Sequence, residues 1–411
     1  MWLVKLTSDF ENVLGDSSKG IWLSSSITIL TVVLSPPVCQ AADYWGRRWF
    51  LIILTLCGTA GSIIVARASS MNMAIAGQII CGIAFGLQGL THAVMSEVLP
   101  RRYRPLGQAV ATVSAGFGGV TSLLLGGALT RNGNHAGFRN YWYTAMALYA
   151  LAAVLCYILY NPPVRQSQMG LTNAEKLAKL DWIGYILLSS GLVALCMGLS
   201  WSQNPYGWTD AHVLATFLIG LALIACLALY ATKFKKDGMF HHGLFSRGWN
   251  FVIALACLVV DGLAFFAMNI YFCSEVGTFY ESDTLITGFR YSITFIMSGS
   301  VSFLAGAFCS SNKSLRFPTA FAFGLMTIFF ICMATATQGS SKPVWAYPVI
   351  FGAGFGVTLC TILAIGQLST PKELLTIATG VMISLRSFGG TIGLAVCRFI
   401  FQNPPCDTYY T

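Results

Sequence analysis

The segment VWAYPVIFGAGFGVTLCTILAIGQ, residues 344–367, contains no charged side chain. As an α-helix it is longer than the ~20 apolar residues that cross the hydrocarbon core of a bilayer. The segment is continuously apolar and does not alternate with polar residues, which favours a helix over a strand of a membrane barrel. It therefore indicates an α-helical span of an integral membrane protein.

Similar runs make up most of the chain. Hydrophobic residues are 55% of the 411 residues and charged residues only 9%, with a mean hydropathy of +0.68. Soluble domains carry about 25% charged residues, so a soluble protein with this composition could not cover its own surface. The predicted fold is an all-α bundle of about twelve spans, over residues 20–38, 49–67, 72–94, 106–130, 141–160, 182–202, 211–232, 249–272, 284–309, 317–336, 344–367 and 374–400.

Lysine and arginine are concentrated in alternate loops. The loop after the first span holds Arg47 and Arg48, and the next loop on the same side holds three arginines between 101 and 104. Loops rich in these residues stay in the cytoplasm. Residues 1–17 are therefore predicted to be an external N-terminal loop. The net charge of +9 reflects this topology and does not indicate a nucleic-acid partner.

Motifs for enzymatic chemistry are missing from the sequence. The thirteen cysteines show neither a C-x-x-C pair nor a zinc-ligand spacing, so we expect no metal site and no disulfide framework. There is no G-x-x-x-x-G-K-[ST] loop, which argues against ATP-driven chemistry. We therefore expect no cofactor and no enzymatic activity.

Two regions of the chain resemble each other. CGIAFGL at 81–87 is similar to FGAGFGV at 351–357, and FGG at 117–119 recurs at 388–390. A loop proline recurs as well, at positions 100 and 371, and the three matches keep an offset of 270 or 271 residues. Any glycine-rich match is weak alone, but three in register indicate a duplicated lobe. The repeat predicts two helical lobes, with two extra spans between them.

The loop between the first two spans reads Asp43-Tyr44-Trp45-Gly46-Arg47-Arg48. It resembles the D-x-x-G-R-R signature of the major facilitator superfamily, although Cys39 stands where that family usually has glycine. The resemblance implies a cytoplasmic gating latch formed by Asp43, Gly46, Arg47 and Arg48. The alternative is that the two arginines serve topology only, with an acidic residue nearby.

Further segments carry the same resemblance: SEVLPRRYR (96–104), DWIGYILLSSG (181–191), GMFHHGLFSR (238–247), QLSTPKE (367–373) and LRSFGG (385–390). They are similar to the fourteen-helix drug:proton antiporter type, particularly fungal trichothecene efflux pumps and siderophore carriers. The resemblance implies that helices two to thirteen of fourteen are present. Two family features differ, because Gln78 replaces an intramembrane arginine, and Ser122-Leu123 replaces a Gly-Pro pair typical of antiporters.

The predicted organisation follows from the spans and the repeat. An N-terminal lobe of five spans covers 18–160, and a C-terminal lobe of five spans covers 249–402. A cytoplasmic connector with the two inserted spans occupies 161–248, and a tail covers 403–411. Within the connector, Thr172 and Glu175 have the spacing of a capping box, which predicts a short surface helix.

Charged residues inside spans are few. Asp261 lies near the middle of its span, where an acidic side chain costs a few kcal/mol, and it is a candidate for proton coupling or for an ion pair. Arg290 and Arg386 are the candidate partners. Candidates for a substrate cavity are Gln78, Phe265, Phe266, Tyr271 and Phe295, although packing or lipid contact is the better explanation for each aromatic residue.

Three functions remain open from the sequence. The first is proton-coupled efflux of a toxin or drug, and the second is uptake of a siderophore or another solute by the same fold. The third is a truncated carrier that does not transport. The expected partners are a small-molecule substrate, protons and the lipid bilayer, and the expected state is a monomer in the plasma membrane.

Overall fold

A computed structural model describes residues 20–130, 136–162, 172–201, 206–207, 210–234, 244, 249–280, 283–336 and 342–402. The predicted external loop over 1–17, the 403–411 tail and most of segment 238–247 lie outside these residues. Within the described residues the chain is helical and contains no strand.

Fourteen α-helices follow one another along the described residues. They are α1 (Gly20–Trp45), α2 (Arg47–Ala66), α3 (Met71–Phe85), α4 (Gln88–Val98), α5 (Arg104–Leu129), α6 (Gly137–Leu159), α7 (Asn173–Lys179), α8 (Trp182–Trp201), α9 (Ala211–Leu229), α10 (Asn250–Phe279), α11 (Thr284–Asn312), α12 (Arg316–Ala334), α13 (Tyr347–Ser369) and α14 (Leu375–Gln402). Among the described residues, twelve stretches are long and apolar enough to cross a membrane, with α3 and α4 forming one of them. The predicted all-α membrane fold is confirmed.

The third span differs from the sequence prediction of one helix over 72–94. The helix ends at Phe85 and resumes at Gln88, and the second half continues to Val98. At the break the Gly86 N–H donates to the carbonyls of both Gly82 and Ile83, at 3.3 and 3.2 Å. A Cβ on Gly86 would lie 2.9 Å from the Leu34 side chain, so α1 packs directly against the break.

The sequence repeat corresponds to a repeat in the structure. Pro100 and Pro371 have nearly the same backbone angles, φ −56 and ψ 151 against φ −57 and ψ 151, and each precedes a short 3-10 turn. The following helices, α5 and α14, begin 271 residues apart, at Arg104 and Leu375. Each crosses to the other lobe, since α5 packs along α11 and α14 packs along α1. Two lobes related by an approximate twofold axis account for this exchange.

The glycines of the repeat occupy corresponding places. A Cβ on Gly82 would lie 2.7 Å from Leu30 of α1, and one on Gly352 would lie 2.4 Å from the Thr294 carbonyl of α11. Both glycines therefore allow a close helix crossing, which small residues favour in membranes. Because α1 and α11 are equivalent helices of the two lobes, the sequence match reflects equivalent packing.

The inserted pair, α8 and α9, lies beside the crossing of α1 and α14. Leu188 and Leu192 of α8 belong to one buried cluster with Val32 of α1 and Val381 of α14. The Tyr185 hydroxyl also donates to the Gln40 side chain of α1. The pair therefore contacts both lobes where they meet.

The predicted surface helix precedes this pair. Thr172 Oγ1 accepts from the Glu175 N–H at 3.4 Å, and Glu175 accepts from the Thr172 N–H at 2.8 Å. This reciprocal capping box begins α7 and confirms the prediction from the T-x-x-E spacing. The two backbone donors that are otherwise unpaired at a helix start are thereby satisfied.

Candidate functional site

The latch residues lie at the end of the crossing between lobes that is predicted to face the cytoplasm. Arg47 pairs with Asp43 of the preceding turn at 3.0 Å and with Glu97 of α4. It also donates to Thr376 Oγ1 of α14 at 2.7 Å, and Thr376 donates to Glu97 at 3.2 Å. Arg47 and Asp43 are buried. The ion pairs therefore stay within the N-terminal lobe, and a hydroxyl of the other lobe joins them.

The other two latch residues have different roles. Gly46 has φ 93, a conformation that favours glycine, and it separates α1 from α2 by a tight turn. Arg48 does not reach the other lobe. It donates to Asn161 Oδ1 and to the Tyr157 carbonyl, at 3.1 and 2.8 Å, and so binds the end of α6. The role of all four residues as a gate remains a prediction.

A second set of contacts between the lobes is uncharged. Ser96 Oγ donates to Gln367 Oε1 at 2.5 Å, and Gln108 Nε2 lies 2.6 Å from Ser96 Oγ. Gln367 Nε2 donates to Thr379 Oγ1 at 3.1 Å, and His92 Nδ1 lies 2.7 Å from Gln108 Oε1. All five side chains are buried. We call these five residues the amide network.

Sequence reasoning missed the amide network. A signal was available in the repeat, since Ser96 and Gln367 are 271 residues apart, as are Gln108 and Thr379. Polar side chains at equivalent depths of two lobes meet where the approximate twofold axis brings those lobes together. Uncharged polar residues inside an apolar run do not interrupt the hydropathy pattern, so only the register of the repeat marks them.

Two arginine side chains form further hydrogen bonds between the lobes. Arg104 at the start of α5 donates to the Ser96 and Gln367 carbonyls, both at 3.1 Å, and so binds α13 of the other lobe. Arg102 donates to the Ser310 carbonyl of α11 at 3.3 Å. At the predicted cytoplasmic end, the lobes are therefore held together by both charged and uncharged contacts.

Asp261 of α10 forms the intramembrane ion pair of the C-terminal lobe. Its side chain is fully buried, and its Oδ2 accepts from Arg386 Nε of α14 at 2.9 Å. Its Oδ1 accepts from Thr358 Oγ1 of α13 at 2.6 Å. This burial is consistent with the cost of exposing an acidic side chain to lipid near mid-span. One carboxylate thus joins three helices of the lobe.

The other candidate partner, Arg290, does not bind Asp261. Its guanidinium carbon lies 4.4 Å from the ring centre of Trp345, a cation–π contact. Arg290 lies within the first two turns of α11, which begins at Thr284. Hydropathy alone could not distinguish the two arginines, because the choice depends on how each helix is rotated and at what depth the residue lies.

The aromatic cavity candidates lie partly together. Phe265 stacks on Phe355 with ring centres 4.5 Å apart, and the Arg386 guanidinium carbon lies 5.2 and 5.5 Å from these rings. Phe295 approaches Phe265 at 6.5 Å and contacts Gly119 of the other lobe. This aromatic group therefore lies next to the ion pair and reaches the boundary between lobes.

The remaining candidates are more scattered. Phe266 packs on Gly390 of α14, within the C-terminal lobe. Tyr271 lies further along α10 and is half-buried. Gln78 of α3 is buried, and its Oε1 has no hydrogen-bond partner among the described residues. The structure thus groups Phe265 and Phe295 with the ion pair, but not Gln78 or Tyr271.

Two helical lobes joined at one end of their crossing, with a buried ion pair on one of the crossing helices, define the class of a two-lobed membrane carrier. The sequence profile of the Major Facilitator Superfamily matches residues 6–394, and the chain belongs to this family of membrane transporters. The resemblance inferred from the D-x-x-G-R-R motif and the segments similar to fungal efflux pumps is confirmed.

Curated relatives of this chain are fungal transporters. An MFS-type transporter of an Acremonium species is 24% identical over 98% of this chain and 67% of its own length. A trichothecene efflux pump of Fusarium sporotrichioides is 24% identical over 89% of this chain and 62% of its own length. The chain therefore spans about two thirds of the length of the curated relatives it matches.

Solved structures share the fold. The human organic anion transporter MFSD10 superposes with a TM-score of 0.61 at 14% identity, covering 97% of this chain and 84% of its own. A proton:xylose symporter superposes with a TM-score of 0.55 at 13% identity, covering 98% of this chain and 92% of its own. At these identities the likeness concerns the fold alone.

Proposed function

We propose that this protein exports small apolar organic molecules across the plasma membrane as a monomer, driven by protons. The direction of transport is supported by the fungal relatives, several of which are named efflux transporters or pumps. Proton coupling is supported by one observation, the buried Asp261–Arg386 pair. Arg386 lies on α14, the helix that also contributes Thr376 to the proposed cytoplasmic gate.

Helix α14 connects the ion pair to the gate. Arg386 binds Asp261, while Thr379 and Thr376 on the same helix bind the amide network and the latch. At 1.5 Å per residue, Arg386 lies about 10 Å along the axis from Thr379. A proton that neutralises Asp261 removes the counter-ion of Arg386, and α14 is then free to shift as a rigid element. Such a shift changes the gate contacts at its cytoplasmic end.

The aromatic group sets the substrate chemistry. Phe265 and Phe295 offer apolar ring faces beside the ion pair, and the Arg386 guanidinium already lies over Phe265. A neutral, apolar molecule can pack on these rings without losing hydrogen bonds, whereas a strongly charged one would have to be desolvated. We therefore place neutral organic compounds ahead of anionic solutes.

The test uses the chain reconstituted in liposomes, with uptake of a radiolabelled trichothecene measured at several pH gradients. Asp261→Asn keeps the size of the side chain and removes the proton site. We expect it to abolish accumulation driven by the pH gradient while counterflow exchange of the labelled compound continues. Asp210→Asn is the matched control, because Asp210 caps the external start of α9 and asparagine caps a helix equally well.

Three results would contradict parts of the proposal. Unchanged gradient-driven accumulation by Asp261→Asn would exclude Asp261 as the coupling site. Loss of folded protein in that variant, with a normal Asp210→Asn control, would assign the pair a structural role only. Absence of trichothecene transport in every variant, including the unmodified chain, would refute the substrate class.

A further inference from the structure

A cleft of about 220 Å³ lies between the cytoplasmic ends of the two lobes. One wall is the start of α5, with Arg101, Arg102 and Pro105, and the other is the end of α11, with Ser310 and Lys313. The cleft lies on the opposite lobe crossing from the latch, since α5 meets α11 here and α1 meets α14 there. The proposed transport function does not use it.

The cleft is strongly positive. Arg101, Arg102 and Lys313 line it, all three are exposed, and no acidic residue lines it. The 3-10 turn that holds Arg101 and Arg102 leads into α5, which has no acidic residue in its first turn and no side-chain cap. The positive end of that helix therefore adds to the field of the cations.

A buried hydroxyl in the same cleft lacks a partner. Ser310 is 6% exposed, and its Oγ has no hydrogen-bond partner among the described residues. An unsatisfied buried hydroxyl costs about 1–3 kcal/mol. Rotation of the Ser310 side chain towards the cleft would let this hydroxyl donate to a ligand oxygen. Arg102 is already oriented there, because its Nε donates to the Ser310 carbonyl at 3.3 Å.

Lys313 is held in an unusual conformation. It has φ 54 and is the only non-glycine residue with positive φ among the described residues. A lysine in this left-handed region is uncommon, and such conformations cluster at functional sites. Its N–H closes the last turn of α11 by donating to the Cys309 carbonyl at 3.0 Å. The lysine thus lies at a sharp helix end, in the wall of the cleft.

We propose that this cleft binds a phosphate monoester and that the bound phosphate links the two lobes at the cytoplasmic surface. Arginine forms paired, charge-assisted hydrogen bonds with phosphate, and Lys313 and Ser310 supply donors from the opposite wall. Binding across the boundary stabilises the state in which the cytoplasmic side is closed. The phosphate belongs either to an anionic lipid headgroup, given the level of the cleft at the helix ends, or to a soluble cytoplasmic compound.

The experiment uses the chain in phosphatidylcholine nanodiscs. One arm adds dioleoyl phosphatidic acid to the lipid, and the other adds glycerol 3-phosphate, its water-soluble headgroup, to the buffer. Hydrogen exchange of peptides covering 101–105 and 309–315 reports occupancy of the two walls. Titration of each probe then gives an apparent affinity.

Two double variants separate this site from general attraction to anions. Arg102→Gln with Lys313→Gln removes two cleft cations, and Lys176→Gln with Lys179→Gln removes two cations from the surface helix α7. We expect the cleft variant to bind the probe about a hundredfold more weakly, since each charge-assisted hydrogen bond accounts for about tenfold. The α7 variant has the same net charge and should bind like the unmodified chain.

The two probes distinguish a lipid headgroup from a soluble phosphate compound. Protection by phosphatidic acid alone supports a lipid headgroup, and protection by both probes supports a phosphate monoester from either source. Protection by neither probe, or an equal affinity in the two double variants, would overturn the proposal. If the cleft variant fails to fold, a third double variant, Ser310→Ala with Arg101→Gln, takes its place. It keeps the bond from Arg102 to the carbonyl of residue 310, and it should bind the probe more weakly than the unmodified chain. Unchanged affinity in that pair would likewise overturn it.

Discussion

Substituting Gly262 with alanine should break the intramembrane ion pair without touching either charged residue. A Cβ at this position would lie 1.9 Å from the Arg386 carbonyl oxygen, whereas real Cβ contacts are essentially never under 3.0 Å. Helices α10 and α14 must therefore separate by at least 1.1 Å, the difference between these distances. The same movement stretches the 2.9 Å bond from Arg386 to Asp261 towards about 4 Å, beyond hydrogen-bond range.

Two costs add in this variant. Overpacking a close helix contact costs about 1–3 kcal/mol, and losing a hydrogen bond between charged groups costs about 1.5–3 kcal/mol. The better helix propensity of alanine returns up to about 1 kcal/mol. We therefore expect Gly262→Ala to lower the free energy of unfolding by roughly 2–5 kcal/mol.

Equilibrium unfolding in mixed detergent micelles, followed by tryptophan fluorescence, measures this loss. Gly324→Ala on α12 is the control, because an added Cβ there meets no atom within 4 Å. It should leave the free energy unchanged or raise it by up to about 1 kcal/mol. Equal stability of the two variants would show that α10 and α14 adjust freely, and the argument from their close contact would be wrong.

Other substitutions test the ion pair, the latch and the surface helix. Asp261→Asn and Arg386→Gln should each lower the free energy of unfolding by about 3–5 kcal/mol. The double variant should lower it by less than either single variant, because no unpaired buried charge remains. Additive losses would contradict this. Glu97→Gln should speed hydrogen exchange at the start of α14, since the latch arginine loses a charged partner; unchanged exchange there would remove Glu97 from the latch. Thr172→Ala should speed exchange in α7, because it removes the helix cap. The hydrogen bonds from Thr172 lower the pKa of Glu175. The stability that this cap contributes is therefore fully present above about pH 4.3 and is lost as the pH falls through the lowered pKa. Hydrogen exchange in α7 that does not rise on acidification, after correction for intrinsic rates, would contradict this.

The parts of the fold that depend on hydropathy were predictable. Each span must bury its backbone polar groups in a helix, so a sufficiently long apolar run marks it. Pro100 and Pro371 marked the repeat because both precede the same 3-10 turn. Asp261 was predictable as a buried residue, since exposing a carboxylate to lipid at that depth is expensive.

Features that depend on the rotation and contact of helices were not predictable. The preference of Asp261 for Arg386 over Arg290 follows from which helix faces α10 and at what depth. The sequence also did not predict that α8 and α9 pack against both lobes. A helix face that packs on other helices is as apolar as a face that contacts lipid. The break at Gly86 has no hydropathy signal, since glycine-rich helices are common in membranes.

The two copies of the repeat carry their charges at different depths. Arg104, which ties α5 to the other lobe at the cytoplasmic end, corresponds to Leu375 of α14. Arg386, which binds the buried carboxylate, corresponds to Ala115 of α5. The charged residues at the predicted gate therefore belong to one lobe, and the buried ion pair belongs to the other. We propose that a carrier with this division opens the predicted gate only when the lobes separate. Because α14 contributes Arg386 to the buried pair and Thr376 to the predicted gate, a movement of α14 at the pair would reach the predicted gate directly.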